Sequence, residues 1–139
     1  MKMARLMIPF IFIGLIMGIF FIRDSKLKNE KKEMFDEFPL VGLNDKLKGT
    51  LTDIVIRESS RINNDPNHSL VVIDGNIKRS LIVGLDTRWN STLDHQLSIG
   101  DRIEKTSGEN LLLITKILKG DTVRLTFQIA DELGNLIEK

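Results

Sequence analysis

Ser69–Gly84 reads SLVVIDGNIKRSLIVG, two apolar runs on either side of Asp74-Gly75. Both runs carry β-branched residues, and Asp-Gly readily takes the positive φ of a tight reversal, so the stretch predicts an antiparallel hairpin. The same grammar recurs on either side of it. Upstream, LKGTLTDIVIRE (Leu47–Glu58) offers Leu51, Ile54 and Ile56 to a core. Downstream, Gly100-Asp101 opens DRIEKT, Ser107-Gly108 precedes NLLLITKIL, and Lys119-Gly120-Asp121 turns the chain into TVRLTFQIA. There Val123, Leu125, Phe127 and Ile129 alternate with Thr122, Arg124, Thr126 and Gln128. Period two marks a strand with one buried and one wet face. Between the strands, STLDHQL (Ser91–Leu97) suits one or two helical turns capped by Ser91 or Thr92. A flat sheet of such strands would leave two edges and a face exposed. The expected fold is therefore mainly β: a small antiparallel OB- or SH3-like barrel, or a two-layer sheet.

The front of the chain is different. Hydrophobic residues make up 42% of the 139 and charged ones 28%, with a formal net charge of +1. That average conceals LMIPFIFIGLIMGIFFI, Leu6–Ile22, 17 residues without a charge. As a helix it would span roughly 26 Å, against a hydrocarbon core of about 30 Å. Arg5 and Arg23 can lay their stems along the remainder. Pro9 is placed in the first turn, where a missing N–H costs nothing. Signal cleavage needs small residues, whereas Phe20, Phe21, Ile22, Arg23 and Asp24 follow, so the segment is read as an uncleaved transmembrane helix. Gly14 and Gly18 form a G-x-x-x-G pair, the one pointer to a helix-mediated homodimer. Three segments result: an anchor over residues 1–22 (about 6–22), a charged juxtamembrane helix and linker over 23–45 ended by Pro39, and a β domain over 46–139.

A literal count of bases sets Lys2 and Arg5 against Arg23, Lys26, Lys28, Lys31 and Lys32, which puts the domain in the cytoplasm. Against it, a short basic start running directly into an apolar stretch is the form of exported bacterial domains, and Asp24, Glu30 and Glu33 dilute the downstream bases. The expectation adopted is a single-pass protein of the bacterial inner membrane with a periplasmic domain.

Few chemistries fit the remaining residues. Cysteine is absent, which excludes disulfides, thiolate zinc sites and a lipid-modified cysteine. Tyrosine is absent too, and Phe10, Phe12, Phe20 and Phe21 lie in the apolar segment, so a base-stacking platform is missing and no nucleic acid is expected. His68 and His95 occupy separate connections without ligand spacing and read as solvated loop residues, so no metal or other cofactor is expected. No serine sits in G-x-S-x-G. Gly100-Asp101 with Lys105 is similar to an element of membrane-tethered signal peptidases, but their Ser-Met pair beside the anchor is missing; Ser25 precedes Lys26 instead. Contact candidates are Arg61, Asn64 and His68 in the turn-rich loop SSRINNDPNHS (Ser59–Ser69), and Trp89, for which a cap over the open barrel end is the favoured reading.

The anchor, the charged spacer, KGTLTDI around Gly49, VIDGN around Gly75 and IGDRIEK around Gly100 together resemble a group of small, uncharacterised bacterial single-pass proteins with a membrane-anchored β domain. The resemblance implies fold and location and supplies no functional residue. The leading expectation is a non-catalytic, membrane-tethered β module binding a protein or peptide partner at the envelope. The alternative is an envelope hydrolase whose Ser/His or Ser/Lys site assembles only in the fold; a pocket where a histidine hydrogen-bonds a serine would favour it.

Overall fold

The computed structural model describes residues 2–55, 68–84 and 93–138, with side chains from residue 11 onward except those of residues 94 and 95. Two compact units emerge, residues 1–34 and 35–139. One helix, α1 (Lys2–Glu37), takes in both the apolar stretch and the charged one. Pro9 lies about two turns inside it rather than in its first turn, so the carbonyl of Arg5 loses its helical donor. Past Ile22 the helix carries exposed i,i+4 ion pairs, Asp24–Lys28 at 2.7 Å and Lys26–Glu30 at 4.0 Å. Each is worth a few tenths of a kcal/mol. As Pro39 requires, α1 ends at Glu37.

Among the described residues no helix is long and apolar enough to cross a membrane. The sequence is apolar from Leu6, but among the described side chains the apolar run is Ile11 to Ile22, about 18 Å of helix, before Arg23 and Asp24 begin the charged part. Of the expected transmembrane helix, the described residues show the coarser feature, an N-terminal helix with an exposed apolar stretch.

In the second unit six strands form one antiparallel sheet: β1 (Leu47–Val55), β2 (His68–Ile73), β3 (Ile77–Ile82), β4 (Arg102–Lys105), β5 (Leu111–Leu118) and β6 (Asp121–Gln128), in the order β3-β2-β1-β4-β5-β6. A single turn, α2 (Leu93–Gln96), precedes β4. Strand β1 belongs to both halves of the sheet: Leu47–Thr50 pair with β4, and Leu51–Val55 with β2. Register slips between Leu51 and Asp53. That bulge resolves a parity problem in the sequence, because Leu51 and Ile54 are an odd number apart and an ideal strand would put them on opposite faces. With Thr52 as the extra residue, Leu51 is buried and Ile54 packs against the same core. Ile56 lies outside the described residues.

The β2–β3 hairpin forms as expected, with Asp74 at φ 50° and Gly75 at φ 77°. Pairing resumes at Ile73↔Ile77, so Asn76 joins the loop as a third residue. Lys119 and Gly120, both at positive φ, make the two-residue turn between Leu118 and Asp121. Every strand contributes to one aliphatic core that includes Leu51, Ile73, Leu81, Ile103, Ile114 and Phe127.

The sheet stays open, which corrects the expected closed barrel. Strands β3 and β6 meet through one isolated bridge, Val83↔Ile129, instead of a ladder. The edges are protected by other means. Along β3, Ser80 N–H donates to Pro39 O and Val41 N–H to Ser80 O, both at 3.0 Å. Past β6 the chain turns back on itself, with Ala130 bridged to Leu136 and Ile137 N–H donating to Ile129 O at 3.1 Å.

Candidate functional site

The outer face of the sheet carries a polar cleft of about 590 Å³ across β1, β4, β5 and β6. Register dictates its composition. Thr50 pairs with Arg102, Arg102 with Thr115, and Thr115 with Arg124, so one row perpendicular to the strands holds two arginines about a hydroxyl. All four are wet-face residues and all four line the cleft. The adjoining row sets Lys48 opposite Glu104, their charged groups 3.9 Å apart. Asp74 closes one end. Its backbone N–H donates to Thr50 O and its carboxylate accepts from Thr50 N–H, both at 2.9 Å. This approach needs Gly49, because a side chain there would run into Ile73 and the Asp74 carboxylate. No described residue pairs with Arg102 or Arg124.

The hydrogen bond that the hydrolase alternative requires does exist. His68 Nε2 and Ser80 Oγ bond across β2 and β3. His68 opens β2 instead of ending a loop, is 7% exposed, and stacks on Phe35 with ring centroids 6.0 Å apart. Ser80 is 0% exposed. A nucleophile must be reached by its electrophile, and this hydroxyl belongs to a fully buried residue whose backbone is bonded to the Pro39–Val41 strap.

Two lysines are buried and fully engaged. Lys105 Nζ donates to the carbonyls of Leu43 (2.7 Å), Asp45 (2.9 Å) and Thr106 (3.2 Å), three acceptors for the three protons of an ammonium. Burial pushes its pKa below the ordinary 10.5, while the Asp45 and Glu109 carboxylates oppose the shift. It fixes the 42–46 turn on the β4 side of the sheet and faces carbonyls, not a serine. Lys116 Nζ donates to Gln96 O (2.6 Å), Ser98 Oγ (3.2 Å) and the Asp101 carboxylate, which also accepts from Ser98 N–H at 2.8 Å. This cluster holds the connection after α2 against β5. Both lysines continue the period-two pattern of their strands' buried face, Ile103–Lys105 and Leu112–Ile114–Lys116, and that pattern is the signal that could have located them.

Of the other residues picked out by sequence, Arg61, Asn64 and Trp89 lie outside the described residues. Gly14 and Gly18 sit one turn apart on α1 with open space beside each. Among the described residues no three His, Asp or Glu side chains gather where they could hold a metal. The cleft arginines were visible in the sequence only as wet-face residues, because bringing them together takes the register of three strands. No family model, curated protein or solved structure matches the chain.

Proposed function

We propose that this chain is a non-catalytic β module held at a membrane by the apolar part of α1, and that it binds a protein or peptide partner at the cell envelope. The carrying observation is that every described residue from Ile11 to Ile22 is exposed, around the whole circumference of the helix. An amphipathic helix would hide one stripe against a core; a helix apolar on all sides needs an apolar medium on all sides. Counted from the sequence, that medium would receive Leu6–Ile22. The non-catalytic half of the reading draws on the buried side chains of His68, Ser80, Asp101, Lys105 and Lys116, which are hydrogen-bonded in holding strands and connections together. It accords with the resemblance to small anchored bacterial proteins.

Flotation of the full chain with phospholipid vesicles tests it. The wild type is expected to float, and Ile16→Asp/Phe20→Asp to remain below, since each acid costs about 2.5–3.5 kcal/mol within a bilayer. A wild type that stays in the aqueous fraction contradicts the reading. A hydrolase built on His68 and Ser80 is the second reading, favoured by their hydrogen bond and opposed by the burial of the hydroxyl.

A further inference from the structure

We propose that the outer-face cleft is the partner site and that its occupant is an extended peptide bearing acidic side chains, a specification that rests on the partner-binding reading above. Arg102 and Arg124 stand on either side of Thr115, their backbones about 10 Å apart, so their long side chains can converge on one oxyanion above its hydroxyl. Neither guanidinium has a partner among the described residues. Of the cleft's other charges, Lys48 faces Glu104, while Asp74 is hydrogen-bonded to the Thr50 backbone and keeps its negative charge. Two exposed forked donors with no ion-pair partner among the described residues match carboxylate geometry.

The surroundings define the class further. A single ion would occupy a small part of about 590 Å³. Asp74 and Glu104 border the same cleft and repel a chain charged at every unit, which disfavours nucleic acid and polyphosphate. Leu113, half-buried in the same row as Lys48 and Glu104, offers an aliphatic surface to a peptide's other side chains. Mixed charge with two free cations suits a peptide in which acids alternate with uncharged residues.

The test is fluorescence anisotropy on the full chain in neutral micelles. The probes are a fluorescein-labelled peptide of alternating Glu and Ser and its counterpart with Gln at each Glu, with inorganic phosphate as competitor. The Glu peptide is expected to bind, more weakly as salt rises, and the Gln peptide to bind at least about tenfold more weakly. Arg102→Gln and Arg124→Gln, both at exposed positions, should each weaken the Glu peptide about tenfold, while Lys119→Gln at a remote turn leaves it unchanged. The proposal is overturned if the arginine variants bind as the wild type does, if the wild type binds neither peptide, or if the Gln peptide binds equally well. Displacement by phosphate at concentrations equal to the peptide's also overturns it, in favour of a phosphate site. None of these outcomes touches the anchored-module reading, which stands or falls with vesicle flotation.

Discussion

Replacing Lys116 by Met should be the most damaging single change in the β unit, and the size of the loss follows from the geometry. The ammonium is enclosed, with Lys116 8% and Asp101 6% exposed, and donates to Gln96 O, Ser98 Oγ and the Asp101 carboxylate. Methionine keeps most of the stem's packing and removes all three bonds. Asp101 is left as a buried carboxylate with its Ser98 N–H bond but no counter-charge. Breaking a buried pair from one side costs about 3–5 kcal/mol, because the charge left behind has lost both water and partner. Domains of this kind have about 5–15 kcal/mol in total. In urea unfolding of the full chain followed by far-ultraviolet circular dichroism, the midpoint should therefore fall by roughly 2–3 M. Adding Asp101→Asn to Lys116→Met removes the orphaned charge and should restore at least about half of the loss. A single variant whose midpoint stays within roughly 0.5 M of wild type would show that the buried pair is not what holds this connection, as would a double variant no more stable than the single.

Gly49→Ala forces a side chain against Ile73 and Asp74, of which Ile73 is fully buried and cannot swing aside; a loss of about 1–3 kcal/mol in the same unfolding assay is expected. A fluorophosphonate probe, which modifies accessible activated serines, should leave Ser80 unlabelled by mass spectrometry, and stoichiometric labelling would restore the hydrolase reading. Asp131 accepts from Leu133 N–H and Asn135 N–H, and its carboxylate also binds the Asn135 amide. The Asn135 side-chain bond, followed by the backbone bonds, draws its pKa below the ordinary 3.8. Because the folded value lies below the unfolded one, the turn's contribution is complete above the unfolded value and disappears as pH falls through the lowered one. A carboxyl carbon titration by nuclear magnetic resonance should show Asp131 protonating below the ordinary 3.8, and a midpoint at or above that value would contradict the assignment.

Much of the fold was legible because the deciding signals are local. Asp74-Gly75 and Lys119-Gly120 reverse the chain where positive φ is required, and the alternation around Val123–Phe127 fixes a strand by itself. Closure was not legible, because edge protection depends on pieces without periodicity: the Pro39–Val41 strap and the return past Asp131, which only Gly134-Asn135 announces as a turn. The bulge at Thr52 was present in the sequence as the odd spacing of Leu51 and Ile54, yet it becomes readable only once both are seen to share a core. Lys105 and Lys116 were hidden by the general expectation that lysine faces water, although each sits in step with the buried residues of its strand. The cleft needed more still: Arg102 and Arg124 are separated by a whole hairpin and meet only through Thr115.

The absence of cysteine permits the most direct test of where the apolar helix resides. Spin labels attached singly to Ile16→Cys, Phe20→Cys and, as a control on the wet face of β6, Thr126→Cys can be compared in the full chain reconstituted into vesicles. Both helix labels should be readily relaxed by oxygen and shielded from a water-soluble nickel chelate, with the reverse at Thr126→Cys. Chelate accessibility at Ile16→Cys and Phe20→Cys equal to that at Thr126→Cys would contradict residence in the bilayer.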